Sequence, residues 1–174
     1  IQGIAGANGL DFKTITNRIK VDEVKDILIT MGTEIEELPG KSECPDPNDP
    51  DDPLTHLDRL MARDGDKYFR TGQYTNEKNT KVHREQTGQE IIDDLGKVDY
   101  LFGGLGTTGS TKGTAQKLKE ENPDLEVTGI VSSQDDFIPG IRTANEMWEV
   151  GLYEKELYSD RAVIDSKDAL EGML

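Results

Sequence analysis

Apolar residues run along this chain in short stretches whose spacing switches between two periods. At 21–31, Val21, Val24, Ile27, Leu28 and Met31 recur every third or fourth position and Gly32 follows. That spacing predicts an amphipathic helix with a glycine stop. It returns at 54–63 (Leu54, Leu57, Leu60, Met61) and at 87–95 (Ile91, Ile92, Leu95, then Gly96). Residues 1–10 place Ile1, Ile4 and Ala5 on one helical face and end at Gly9, which reads as the tail of a helix. Strands are predicted at 11–16, where Phe12, Thr14 and Thr16 alternate with their neighbours, and at 34–38. A run at 98–102 leads into a glycine-rich loop, then a helix at 111–121 stopped by Asn122-Pro123, then a strand at 125–131. Strand, loop, helix, strand is the βαβ unit of a parallel sheet. The last third holds a loop through Phe137, Ile138, Pro139, Gly140 and Ile141, a helical-looking 143–152, a strand at 161–164 and a short helix from Ser166. The fold class is α/β.

Composition narrows the function classes. The 174 residues carry 35 Asp and Glu against 20 Lys and Arg, a net charge of -15, so phosphate backbones and anionic lipid are repelled. No apolar run approaches the roughly 18 residues of a membrane span. Nucleic acid and membrane are therefore not expected as partners. Cys44 is the only cysteine, which excludes an intrachain disulfide and a thiolate metal cluster and fits a cytoplasmic protein. The stretch 40–53 crowds prolines among aspartates and cannot be helix or central strand. It reads as a solvated acidic loop, since its prolines break the register of a calcium-binding loop.

The richest chemistry lies in Gly104-Leu105-Gly106-Thr107-Thr108-Gly109-Ser110. Small residues, hydroxyls and the start of a helix together make a cradle for an anion such as phosphate. The loop lacks the Gly-Lys-Ser/Thr ending of a nucleotide P-loop, because Lys112 falls inside the helix. Gly104, Gly106 and Gly109 nearly match a dinucleotide fingerprint, but no acidic residue ends the next strand. Glycines that merely permit a tight strand-to-helix turn are the competing reading of the spacing. A flavodoxin-like nucleotide domain remains an alternative on this pattern. With only His56 and His83 present a multi-histidine metal site is not expected, and no Gly-x-Ser-x-Gly elbow supports a hydrolase triad. His83 reads as a structural hydrogen-bonder, and Met147 and Trp148 as packing residues.

Several motifs occur together: Gln73-Tyr74-Thr75-Asn76-Glu77-Lys78-Asn79, His83, Thr87-Gly88-Gln89-Glu90-Ile91, Val98-Asp99, the 104–110 loop and Ile138-Pro139-Gly140-Ile141. In order and spacing this set resembles the cysteine synthase and cystathionine β-synthase family of fold-type II pyridoxal-phosphate enzymes. The resemblance implies part of a three-layer sandwich with a parallel sheet, of the tryptophan synthase β-like kind. Residues 1–71 would be part of a small mobile domain, and 72–174 part of a large cofactor-binding domain. It implies pyridoxal 5'-phosphate as cofactor, its phosphate held by Gly106, Thr107, Thr108, Gly109 and Ser110 through amides and hydroxyls. Gln73, Gly140 and Ile141 would face a small amino-acid substrate. The implied reaction is β-replacement on an activated serine in amino-acid biosynthesis, in a cytoplasmic homodimer. Thr108, where many cysteine synthases have glycine, resembles the branch that makes 2,3-diaminopropionate, and the cystathionine branch is a further alternative. Arg142 replaces a usual glycine and can recognise a carboxylate or phosphate.

The departures carry equal weight. The family's Schiff-base lysine in a Ser-x-Lys-Asp-Arg type segment, its substrate-carboxylate loop and its pyridine-nitrogen serine segment have no counterpart in these 174 residues. By the resemblance they correspond to the middle of the enzyme and contain no catalytic residue. The chain as given is expected to be inactive alone, and a non-catalytic binding module is the competing class.

Overall fold

The computed structural model describes residues 1–17, 19, 22–39, 49–134, 136 and 138–173, apart from the side chains of Trp148 and Glu149. The chain divides into two compact units, Ile1–Arg70 and Thr71–Leu174. Residues 40–48 of the acidic loop, with Cys44, lie outside the described residues, as do Val21 and Phe137.

In the first unit the order is α1 (Gln2–Ala7), β1 (Lys13–Thr16), α2 (Asp22–Thr30), β2 (Glu34–Glu37) and α3 (Pro53–Asp64). The glycine stops behave as their positions require. Gly9 and Gly32 take φ of +69° and +81°, and each is followed by a return hydrogen bond, Leu10 N to Ala5 O and Thr33 N to Leu28 O, both 2.9 Å. Those bonds satisfy carbonyls that the helix ends leave unpaired. β1 and β2 pair in parallel with Lys13 opposite Glu34. The Lys13 ammonium lies 2.8 Å from Glu34 and 2.7 Å from Glu36. Hydrogen bonds to Glu34 and then Glu36 hold it above its ordinary pKa. His56 of α3 reaches the other oxygen of Glu36 at 3.0 Å.

α3 shows how the end of the acidic stretch is used. Asp52 is the N-cap, 1% exposed, and its Oδ1 accepts from the amides of Leu54 (2.8 Å) and Thr55 (3.1 Å). Pro53, with no amide hydrogen to satisfy, occupies the first helical position.

The second unit begins with one polar helical stretch in three parts: α4 (Lys78–Val82), a π-helical turn (His83–Thr87) and α5 (Gly88–Leu95). β3 (Tyr100–Gly104), α6 (Gly109–Glu121) and β4 (Glu126–Ser132) follow. Short 3₁₀ turns at Ala144–Glu149 and Lys155–Leu157 lead to β5 (Asp160–Ile164) and α7 (Ser166–Glu171). The sheet order is β3-β4-β5, all parallel. Ala115 and Leu118 of α6 pack on Leu125 and Val127, with Ile91, Ile92 and Leu101 alongside. Leu105, Val131, Met147, Val150 and Leu152 form a second cluster. Asn122 ends α6 and ties it back to the strand entrance, its Nδ2 donating to Val98 O at 2.9 Å.

Three sequence expectations are corrected. The helix expected at 87–95 extends back to Lys78, because α6 meets α4 and the π turn through close backbone contact rather than an apolar stripe. A Cβ at Gly113 would stand 2.2 Å from Thr80 O and 2.8 Å from Arg84 N. The helix expected at 143–152 is a 3₁₀ turn of six residues. Met147 packs as expected, while the Trp148 side chain lies outside the described residues. β3 is shifted two residues along, so Gly103 and Gly104 are strand and not loop.

The Asp52 cap makes a direct prediction. Asp52→Ala in the full-length protein is expected to lower the free energy of unfolding by about 1 kcal/mol, and Asp52→Asn by much less, since asparagine caps as well. Urea denaturation of the three proteins measures both.

Candidate active site

The site is built where β3 hands over to α6. Gly103 lets the helix settle on the strand, for a Cβ there would lie 2.5 Å from Thr111 Oγ1. Leu105, fully buried, pins the connection from both sides. Its amide donates to Ile130 O and its carbonyl accepts from Arg142 N, each at 2.8 Å. The chain beyond it is thus held against the loop that follows β4. A Cβ at Gly106 would stand 2.7 Å from Gly140 O, and one at Gly104 would stand 2.8 Å from Ile141 Cγ2.

Thr108 then turns the chain into the helix with φ +65° and ψ -8°, the one non-glycine residue with positive φ among those described. A β-branched residue in that region costs on the order of 1–3 kcal/mol. No side chain caps α6, and its first returning bond is Lys112 N to Thr108 O. The amides of Thr108, Gly109, Ser110 and Thr111 therefore have no partner inside the helix and carry its positive end. Ser110 is exposed on this first turn. The Thr108 hydroxyl is different: its oxygen is enclosed and unpaired. Besides Thr108, the loop's hydroxyls belong to Thr107, which is half-buried, and Ser110, which is exposed.

The remaining expected residues gather at the same place in two sets. Gly140 stands beside Gly106 with φ +91°, and Ile141 beside Gly104. Gln73 sits exposed in the turn that closes with Thr75 N and Asn76 N on Gly72 O. Its carbonyl accepts from Asn79 Nδ2 at 2.9 Å, and the same nitrogen donates to Thr107 Oγ1 at 3.1 Å. Arg142 lies with its guanidinium 4.9 Å over the Tyr74 ring, so the two loops meet there as well. Asn79 had drawn no role from sequence, although it stands inside one of the motifs. Its link to Thr107 spans 28 residues and is legible only in three dimensions.

Two other polar residues are structural. His83 Nδ1 lies 3.0 Å from Thr87 Oγ1 inside the π turn, as expected of a hydrogen-bonder. The Lys112 side chain is 4% exposed and bonded to Glu154 (2.7 Å) and Glu77 (3.2 Å). Burial works against its charge, but the hydrogen bonds to Glu154 and Glu77 outweigh it and hold the ammonium above its ordinary pKa. No group of three or more metal-ligating side chains occurs among the described residues, and no described helix is long and apolar enough to cross a membrane.

Amides without intrahelical partners at a helix head, the hydroxyls of Thr107 and Ser110 and close-packed glycines match the donor set that a phosphate monoester needs. Residues 3–173 match the family model described as "Pyridoxal-phosphate dependent enzyme". The chain belongs to that family. It is 31% identical over 121 residues to cysteine synthase B of Pseudomonas aeruginosa, covering 65% of this chain and 40% of the relative. It is 30% identical over 153 residues to cystathionine beta-synthase of Rattus norvegicus, covering 82% and 26%. Among solved structures, a hydrogen sulfide-producing enzyme from Fusobacterium nucleatum superposes with a TM-score of 0.80 at 27% identity, covering 98% of this chain and 57% of that one. The cysteine synthase of Entamoeba histolytica matches with TM-score 0.80 at 22% identity, covering 97% and 50%, and shows the shared fold. The fold is that of fold-type II enzymes, as expected from the sequence. The chain spans about half the length of these solved structures and less than half of the two curated relatives.

A lysine held charged between two carboxylates is a poor nucleophile toward an aldehyde. Borohydride reduction of the cofactor-loaded full-length protein, followed by peptide mapping, is expected to leave Lys112 unlabelled.

Proposed function

We propose that the protein is a pyridoxal-phosphate enzyme of β-replacement on an activated serine, of the cysteine synthase type. The observation that carries this reading is the row of unpaired amides at the head of α6, in a chain that belongs to a pyridoxal-phosphate family. Gly106, Thr107, Thr108, Gly109 and Ser110 would hold the cofactor phosphate. The amides and the helix end supply the attraction, and Thr107 and Ser110 add hydroxyl donors. When bound, the cofactor supplies an electron sink for bond cleavage at the substrate α-carbon. A leaving group would depart from the β-carbon of O-acetylserine, O-phosphoserine or serine, and sulfide, homocysteine or an amine would take its place.

The loop around Gly140 and Ile141 and the turn bearing Gln73 would form the substrate side. Their task is to hold the amino acid in one orientation and limit water beside the reacting carbon. Arg142, stacked on Tyr74, adds a cation at that side, which favours an anionic group on the substrate and keeps the diaminopropionate and cystathionine branches as alternatives. Ile1–Arg70 and Thr71–Leu174 would belong to the small mobile domain and the large cofactor-binding domain respectively. A cytoplasmic homodimer is part of the same proposal. Residues 1–174 alone would bind without turnover, because the family's Schiff-base lysine segment has no counterpart in them and Lys112, the one buried lysine among the described residues, is committed to Glu77 and Glu154.

The visible spectrum of the full-length protein, with and without serine derivatives, tests the reading: a cofactor band that changes on adding an activated serine supports it. Gly109→Asp is expected to abolish cofactor binding by placing bulk and negative charge at the phosphate. Gly109 also packs on Asn79, so Ser110→Glu, at an exposed position, provides the second variant. It is expected to weaken cofactor affinity at least about tenfold, the scale of one charge-assisted hydrogen bond lost. Normal absorbance and affinity in both variants would contradict the assignment.

A further inference from the structure

An asparagine side chain has two hydrogens to give on its nitrogen and accepts only on its oxygen. In Asn79 both hydrogens have a destination, Gln73 O at 2.9 Å and Thr107 Oγ1 at 3.1 Å. The amide cannot turn over without cost, because its oxygen would then face the Gln73 carbonyl and both donors would be lost. It is also boxed in. A Cβ on Gly109 would lie 2.4 Å from Asn79 Cγ and Oδ1 and 2.6 Å from Nδ2, so the missing side chain of Gly109 makes room for this amide.

The arrangement sets the polarity of Thr107. A hydroxyl has a single hydrogen, and where its oxygen accepts from Asn79 that hydrogen is left for another acceptor. Resting on the reading of 106–110 as a phosphate site, we propose that Asn79 is a positioning residue that turns the Thr107 hydroxyl into a donor toward the bound phosphate. The same amide fixes the Gln73 turn, so the substrate side and the cofactor side share one hinge pin. Gly109 then serves two ends, approach of the anion and space for Asn79, which the glycine pattern alone does not separate.

The test is a double-mutant cycle in the full-length protein, with Asn79→Ala, Thr107→Val and the two combined. Pyridoxal 5'-phosphate affinity and the ³¹P resonance of the bound cofactor are both read. Each single variant is expected to weaken binding about tenfold, the scale of a hydrogen bond to a charged group, and to move the ³¹P resonance. The combined variant should bind scarcely worse than Thr107→Val alone and show the same resonance, since Asn79 has nothing left to orient. If wild type binds but the two losses multiply, or Asn79→Ala leaves the resonance where it was, Asn79 is merely structural and the inference falls. Failure of wild type itself to bind pyridoxal 5'-phosphate would overturn the phosphate reading beneath it.

Discussion

Two backbone hydrogen bonds at one buried leucine fix the course of the chain into the candidate site. Leu105 gives its amide to β4 and takes one from Arg142, so the chain cannot slide along the strand or fold back over the head of α6. Side chains play little part in this clamp. Because it is made of main chain, the neighbours can be small, and the glycines on either side let backbone approach backbone where a methyl group would collide. The outcome is a helix whose first amides have no partner within it, an arrangement that costs stability in isolation and that a bound anion would offset.

Thr108 sharpens the same point. It turns the chain in the left-handed region that glycine would occupy without strain, and its hydroxyl is sealed away unpaired. Strain and an unsatisfied polar atom gather at the residue that opens α6, where local rules are commonly broken in favour of function. Lys112, two positions into the buried face, is the counterweight. Its ion pairs with Glu77 and Glu154 fasten α6 to the segments that precede α4 and follow the 3₁₀ turn. Lys112 itself is buried while Glu154 and Glu77 are half or more exposed, so water screens the pairs and their contribution is fixed position more than net stability.

Much of the frame was legible because simple periodicities govern it. The apolar spacing of α2 and α3, the glycine that ends α2, and Asn122-Pro123 closing α6 each follow from one local rule, whereas the buried cap at Asp52 stood inside what reads as a solvated loop. The 104–110 loop was legible from its glycines and its place between strand and helix. What escaped has a common physical cause. The segment from Lys78 to Gln86 is helical because Gly113 and Gly88 let α6 touch its backbone, and no apolar stripe announces a contact of that kind. The six residues from Ala144 form a 3₁₀ turn because Met147, Val150 and Leu152 fill one core cluster from irregular chain. Asn79 looked like one amide among many until the fold set it against Gly109 and Thr107.

The central claim is that the amides of 106–110 hold the phosphate of the cofactor. Titrating ¹⁵N-labelled full-length protein with pyridoxal 5'-phosphate, and separately with inorganic phosphate, addresses it directly. The account predicts that the amide resonances of Gly106, Thr107, Thr108, Gly109 and Ser110 move most with both ligands. Saturation of the protein with those five resonances unmoved would contradict it.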